Sequence, residues 1–171
     1  MATATFTPIE EYLAKTWSPD REYIDGEVLE RNLGEFDHAN LQTVLAAWLH
    51  NRRRKWRIRV VVEQRVQVSA KRFRIPDVSV LSAERPIEQI IRHPPLICVE
   101  VLSKDDTLAS YRDRFADYAA MGVPNIWLFD PERRAVWTCT GDSMIKVTGE
   151  NLTASGTDIV IPLAEIWADL D

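Results

Sequence analysis

The chain has 171 residues, 46% hydrophobic and 27% charged, with a formal net charge of −5. That length and balance describe one globular domain over residues 1–171 with a real apolar core, and argue against a disordered, fibrous or repeat protein. The acidic balance argues against non-specific coating of nucleic acid, although a local basic surface is compatible with it.

The elements follow in chain order. Thr7-Pro8-Ile9-Glu10 reads as a helix start with a hydroxyl N-cap and proline at the first helical position, and the helix ends near Lys15. Tyr23 to Glu30 reads as two short strands around an Asp25-Gly26 turn. Asp37 can cap a helix from His38 to about Arg54, with Leu41, Val44, Leu45, Trp48 and Leu49 as its apolar stripe. Arg59 to Val68 is β-rich, Ser69 to Arg74 is a polar connection, and Ile75 to Leu81 is a strand with a tolerated proline near its start. Ser82 to Pro95 is a loop and Leu96 to Leu102 a buried strand. A helix capped by Asp106 or Thr107 runs to about Met121, where Gly122 fits the C′ position. Asn125 to Phe129 is a further buried strand, and Ala135 to Thr140 with Met144 to Thr148 form a hairpin. Ile159 to Ile161 and a closing helix from Leu163 to Leu170 complete an α/β fold with a mixed sheet and helices packed on it.

Cys98 and Cys139 have no disulfide or metal-ligand spacing and are expected as buried, reduced thiols. The N-terminus lacks the basic and apolar regions of a signal peptide, and no apolar run approaches membrane-spanning length. A cytoplasmic protein without membrane association is expected.

Two acids interrupt apolar strands: Asp77 in Ile75-Pro76-Asp77-Val78-Ser79-Val80-Leu81 and Glu100 in Leu96-Ile97-Cys98-Val99-Glu100-Val101-Leu102. A buried carboxylate is costly unless paired or bound to a metal. If the strands are neighbours, the two acids converge and can share one cation. A shared Mg²⁺ needs oxygens about 2.0–2.1 Å from the metal, which brings the nearest carboxylate oxygens within roughly 4 Å of each other. A metal held so activates water and stabilises charge on a phosphodiester. The competing reading is one salt-bridged acid and one strand-end acid with no shared role.

Pro76-Asp77 followed by Glu100 in Val99-Glu100-Val101-Leu102-Ser103 resembles the PD-(D/E)XK nuclease pattern, and more narrowly the Uma-type restriction endonuclease family. Tyr23-Ile24-Asp25-Gly26-Glu27 is similar to that family's N-terminal acidic segment, His38 to a histidine of its first core helix, and Tyr118 to Pro131 to its most recognisable stretch. The resemblance extends from about Pro8 to the last helix. It implies a restriction endonuclease-like core, Mg²⁺- or Mn²⁺-dependent cleavage of DNA, and commonly a homodimer. On this reading Asp77 and Glu100 are metal ligands, joined by the Val101 carbonyl.

The lysine that the pattern places two residues after the second acid is absent, because Leu102 stands there. In the resembled family the basic residue lies on the following helix, where this chain has Arg114. Arginine stays charged at neutral pH, so Arg114 can orient water or neutralise a phosphate but cannot take a proton. Lys104 is the other candidate. On the helix, Leu108, Tyr111, Phe115, Tyr118 and Ala119 share the apolar face, with Asp113 and Asp117 expected outward. Glu27 is a possible third acid of the site, or simply an exposed acid beside a turn, and Glu22 is a weaker candidate. His38 shares a helix face with Leu41 and Leu45, which fits a core or helix-start residue as well as a phosphate contact.

Arg52 to Arg59, including Arg54 and Trp56, and Lys71-Arg72-Phe73-Arg74 are the basic patches. Their arginines can contact phosphates and their aromatics can stack on bases. The first patch equally suits a helix C-terminus, where cations complement the dipole. Trp17, Trp48, Trp127, Trp137 and Trp167 are expected in the core or at a homodimer interface. The expected function is an Mg²⁺-dependent endonuclease acting on DNA. The alternative is a catalytically degenerate nuclease fold that binds nucleic acid or another protein.

Overall fold

The protein, seen in a computed structural model that describes residues 6–31, 34–104 and 106–170, begins with helix α1 (Ile9–Ala14). Strands β1 (Arg21–Ile24) and β2 (Glu27–Glu30) follow as a hairpin, in register from Arg21↔Glu30 to Ile24↔Glu27. The turn requires left-handed backbone at both central residues, and Asp25 (φ 51°) with Gly26 (φ 107°) supplies it. Helix α2 (Phe36–Asn51) is followed by the single turn α3 (Arg53–Trp56). Strands β3 (Ile58–Val62), β4 (Val66–Ser69), β5 (Arg72–Arg74), β6 (Val78–Ser82) and β7 (Ile97–Val101) come next. A 3₁₀ turn (Leu108–Tyr111) leads into α4 (Arg112–Met121), which Gly122 closes in the left-handed conformation at φ 96°. Strands β8 (Ile126–Asp130), β9 (Ala135–Cys139), β10 (Met144–Lys146), β11 (Asn151–Thr153) and β12 (Val160–Pro162) precede α5 (Leu163–Ala168).

The larger sheet has the order β10-β9-β8-β7-β6-β3, the smaller one β2-β1-β5-β4, and β11-β12 form a separate ribbon. Neighbouring strands are antiparallel except β7 and β8, which are parallel and therefore need a crossover. Helix α4 makes that crossover.

The pleat of β7 divides the core. Ile97, Val99 and Val101 point into a cluster with Leu41, Leu45 and Leu49 of α2 and Ile166 of α5. Cys98 points to the opposite face, into a cluster with Phe115 and Tyr118 of α4 and Val66 and Val68 of β4. Helix α4 is thus covered by the large sheet on one side and the small sheet on the other. A third cluster, Tyr12, Tyr23 and Phe73, ties α1 to the small sheet. Fully burying a leucine such as Leu45 contributes about 1.5–3 kcal/mol by transfer from water.

Several elements depart from their sequence-based expectations. Pro8, not Thr7, is the N-cap of α1, because the first helical bond runs from the Tyr12 N–H to the Pro8 carbonyl at 3.1 Å. Glu35 rather than Asp37 caps α2, which starts two residues earlier than His38 and ends at Asn51. The expected strand Arg59 to Val68 is two strands in different sheets, separated where Glu63 takes φ 50°. The expected connection Ser69 to Arg74 contains β5, whose Phe73 enters the aromatic cluster. Strand β11 went unanticipated. Both cysteines are free and buried, as expected.

Candidate active site

Asp77 immediately precedes β6, and Glu100 lies inside β7. The antiparallel register pairs Val78 with Val99, so one further step sets Asp77 opposite Glu100. Both are buried, at 2% and 1% exposure. Both line a cavity of about 220 Å³, together with Arg31, His38, Tyr111 and Arg114.

Asp77 is held on each oxygen. Its Oδ2 accepts the Val101 N–H at 2.7 Å and lies 3.2 Å from His38 Nε2, while its Oδ1 accepts Arg31 Nη2 at 2.8 Å. Gly34 allows that histidine position, since a Cβ there would sit 2.6 Å from His38 Nδ1. Glu100 accepts the Tyr118 hydroxyl on Oε1 at 2.5 Å and Arg114 Nη1 on Oε2 at 3.3 Å.

Behind the cavity runs a chain of alternating charges. Arg114 Nη1 is also 3.4 Å from Glu22 Oε1, and Glu22 Oε2 accepts Arg74 at 3.0 Å. Arg74 Nε donates to Asp117 at 2.7 Å, Arg72 donates to the other oxygen of Asp117 at 2.8 Å, and Arg72 ends on Asp25 at 2.6 Å. Four acids alternate with three arginines, so the chain carries one more acid than it has cations.

Burial first of all, opposed by Arg114 but reinforced by the charges of Asp77 and Glu22, pushes the Glu100 carboxyl up to about 7. Burial works against protonation of His38, yet the hydrogen bond and charge of Asp77 outweigh it and raise the imidazole above its ordinary value. Arg114 stays charged despite burial, because Glu100 and Glu22 hold its proton.

The groups that could hold a cation are hard oxygens: the Asp77 and Glu100 carboxylates, with Glu30 and Asp106 also in the cavity lining, and the neighbouring Val101 carbonyl, which accepts the Tyr111 hydroxyl at 3.2 Å. Among the described residues no group of three or more His, Cys, Asp or Glu side chains is arranged to hold a metal. Two carboxylates with water completing the shell is the manner in which Mg²⁺ is usually bound. A divalent cation would also relieve the mutual repulsion that lifts Glu100. The residues present therefore fit such an ion.

Other anticipated residues lie elsewhere. Glu27 is exposed on β2 and does not line the cavity; Glu22 is the acid of the N-terminal hairpin that reaches Arg114. Lys104 lines an adjoining groove with Asp37, Ser103 and Asp130. Arg74 is 5% exposed and spent on Glu22 and Asp117, so it presents nothing to a phosphate; Phe73, 1% exposed, presents nothing to a base. Arg72 is partly exposed but bridges Asp25 and Asp117. Arg54 is exposed on α3 and away from the cavity lining. Asp117, expected outward, is buried. Arg31 escaped sequence reasoning, since nothing in its neighbourhood marks it. Tyr118 was visible only as an apolar-face residue, and its spacing of four from Arg114 was the available signal for a shared target.

The chain matches the family model Uma2, described as "Putative restriction endonuclease", over residues 9–163, and belongs to that family. Its fold is that of a crystal structure described as a putative nuclease belonging to DUF820 from Anabaena variabilis, with TM-score 0.81, 18% identity, and 95% of this chain and 98% of that one covered. A DrdV–DNA complex is a weaker match, with TM-score 0.42 and 18% identity over 77% of this chain and 11% of that one. No curated protein matches the chain. No helix among the described residues is long and apolar enough to cross a membrane.

Proposed function

We propose that this protein is a homodimeric, divalent-metal-dependent endonuclease that hydrolyses DNA phosphodiester bonds, using Mg²⁺ or Mn²⁺. The observation that carries the reading is the meeting of Asp77 and Glu100 across β6 and β7 in one cavity that also holds Arg31, His38 and Arg114. Membership of the family described as "Putative restriction endonuclease" supports it. Asp77, Glu100 and the Val101 carbonyl would hold the cation, which when bound supplies an acidified water and charge neutralisation.

The chain's own residues supply the rest. The Val101 N–H and His38 fix the Asp77 carboxylate, and Tyr118 fixes Glu100. Arg114 neutralises phosphate charge or orients water, but takes no proton. In the second basic patch Lys71 is exposed and Arg72 half-exposed, so these two keep surface for a phosphate, and Arg54 and Lys104 are outlying contacts.

The test is nicking of supercoiled plasmid DNA with and without Mg²⁺. Asp77→Asn and Glu100→Gln should each reduce cleavage by more than the roughly 10–100-fold that loss of an outer-shell partner costs. Full Mg²⁺-dependent cleavage by Asp77→Asn would sink the reading. A second reading, a nucleic-acid-binding module without turnover, is favoured by one observation: among the described residues no lysine lines the cavity. DNA retention without cleavage by the wild type would decide for it.

A further inference from the structure

Three arginines around the cavity are fixed by the folded protein. Arg72, Arg74 and Arg114 each bridge two carboxylates at 3.4 Å or less. Arg31 is held differently. Its close partner is Asp77 Oδ1 at 2.8 Å, and its second carboxylate, Glu63, is 3.8 Å away on a side chain 48% exposed. It directly follows β2, and its side chain lines the cavity.

Asp77 is also the proposed metal ligand. Its Oδ2 is already engaged by the Val101 N–H and His38, which leaves Oδ1, the oxygen that Arg31 holds, as the one a cation would take. A guanidinium on Oδ1 and a divalent cation at the same oxygen repel each other and compete for the same lone pairs. His38 has less freedom to withdraw, since it sits on α2 with Gly34 close against its ring. The long, flexible arginine is the group able to leave, and a phosphate offers its guanidinium the same planar, two-oxygen match as a carboxylate.

We infer that Arg31 stands in for the cation on Asp77 in the free protein and transfers to a backbone phosphate when nucleic acid enters the cavity. Metal binding and nucleic-acid binding are then positively coupled, and the coupling is reciprocal. The inference rests on the nuclease reading and adds a residue and a control to it: the site stays closed to its metal until a substrate phosphate draws Arg31 away.

The test is calorimetric titration of the full chain with MnCl₂, alone and in the presence of a short duplex whose linkages are all phosphorothioate, which keeps the charge while resisting hydrolysis. The wild type should bind Mn²⁺ weakly alone and on the order of tenfold more tightly with the duplex, within the usual range of such couplings. Arg31→Gln should bind Mn²⁺ tightly without duplex and gain little from it. Arg31→Lys, which keeps the charge but not the planar fork, should still bind Mn²⁺ weakly alone and gain less from the duplex than the wild type, which separates the charge from the fork. Asp77→Asn separates the two failures. If Asp77→Asn binds Mn²⁺ as the wild type does, or the wild type binds none in either state, the nuclease reading fails. If Mn²⁺ binds through Asp77 but Arg31→Gln shows the wild-type affinities and the wild-type duplex effect, the nuclease reading stands and Arg31 is not the stand-in.

Discussion

Glu100 has a carboxyl raised from 4.5 to about 7, so between these values the folded protein binds a proton that the unfolded chain has released. Stability of the metal-free protein therefore falls as pH rises through this window, and the loss is complete above about 7. The raised imidazole of His38 contributes stability that is present below its ordinary 6.5 and is lost as pH rises through its folded value. Both losses have the same sign. Melting in a chelator should thus be higher at acid than at alkaline pH. Glu100→Gln should flatten the acidic part of the profile and leave the histidine part, and Mg²⁺ added at alkaline pH should restore stability to the wild type alone. A Glu100→Gln profile that overlays the wild type would show that the carboxyl titrates elsewhere. At this scale the sequence was informative about Asp77 and Glu100, because acids inside apolar strands are costly enough to need a reason. It was silent on Arg31, whose partner is 46 positions away in the chain.

Helix α4 and the turn before it carry Tyr111, Arg114, Asp117 and Tyr118, which reach Val101, Glu100 and Glu22 on one side and Arg72 and Arg74 on the other. Asp117→Asn leaves buried Arg74 with Glu22 as its remaining carboxylate partner among the described residues, and loss of one member of a buried ion pair costs about 3–5 kcal/mol. Urea denaturation should show a loss near the lower end of that range, since Glu22 stays in place. Glu84→Gln, which breaks the solvent-exposed pair with Arg57, should cost less than about 1 kcal/mol. Equal stability of Asp117→Asn and the wild type would mean that the charge chain is solvated rather than buried. The same ion pairs explain two misreadings of the sequence. Helical spacing put Asp117 on the outer face because it takes no account of a second sheet covering that face. Ser69 to Arg74 read as a polar connection because alternation with one apolar residue is too short to betray a strand whose arginines are consumed by acids from the β1–β2 hairpin and α4.

For the molecule as a whole, the large sheet separates a structural core from the face that holds the acids. Ile166 of α5 is fully buried in the first of these, away from the cavity. Ile166→Ala should lower unfolding free energy by about 2–5 kcal/mol while leaving the Mn²⁺ affinity of the folded protein unchanged. A comparable loss of affinity would show that the two faces are coupled. Most of the order of elements, and the apolar runs that hold Glu100 or adjoin Asp77, were legible because those runs are long for their neighbourhood and bounded by turn residues. The division of Arg59 to Val68 between two sheets was not, since it depends on one residue, Glu63, entering the left-handed region and redirecting an otherwise continuous pattern. The parallel pairing of β7 with β8 has a consequence for how a catalytic cation can be supplied. A strand residue two places after Glu100 shares its face, while the crossover helix passes over that same face from outside. Two unrelated stretches of backbone thus have access to one point in space. Arg114 arrives at Glu100 from the helix, while Leu102, two places along the strand, packs against the cluster beneath α4. The architecture thus offers two stretches of backbone, one on the strand and one on the helix, from which a cation can reach the Glu100 carboxylate.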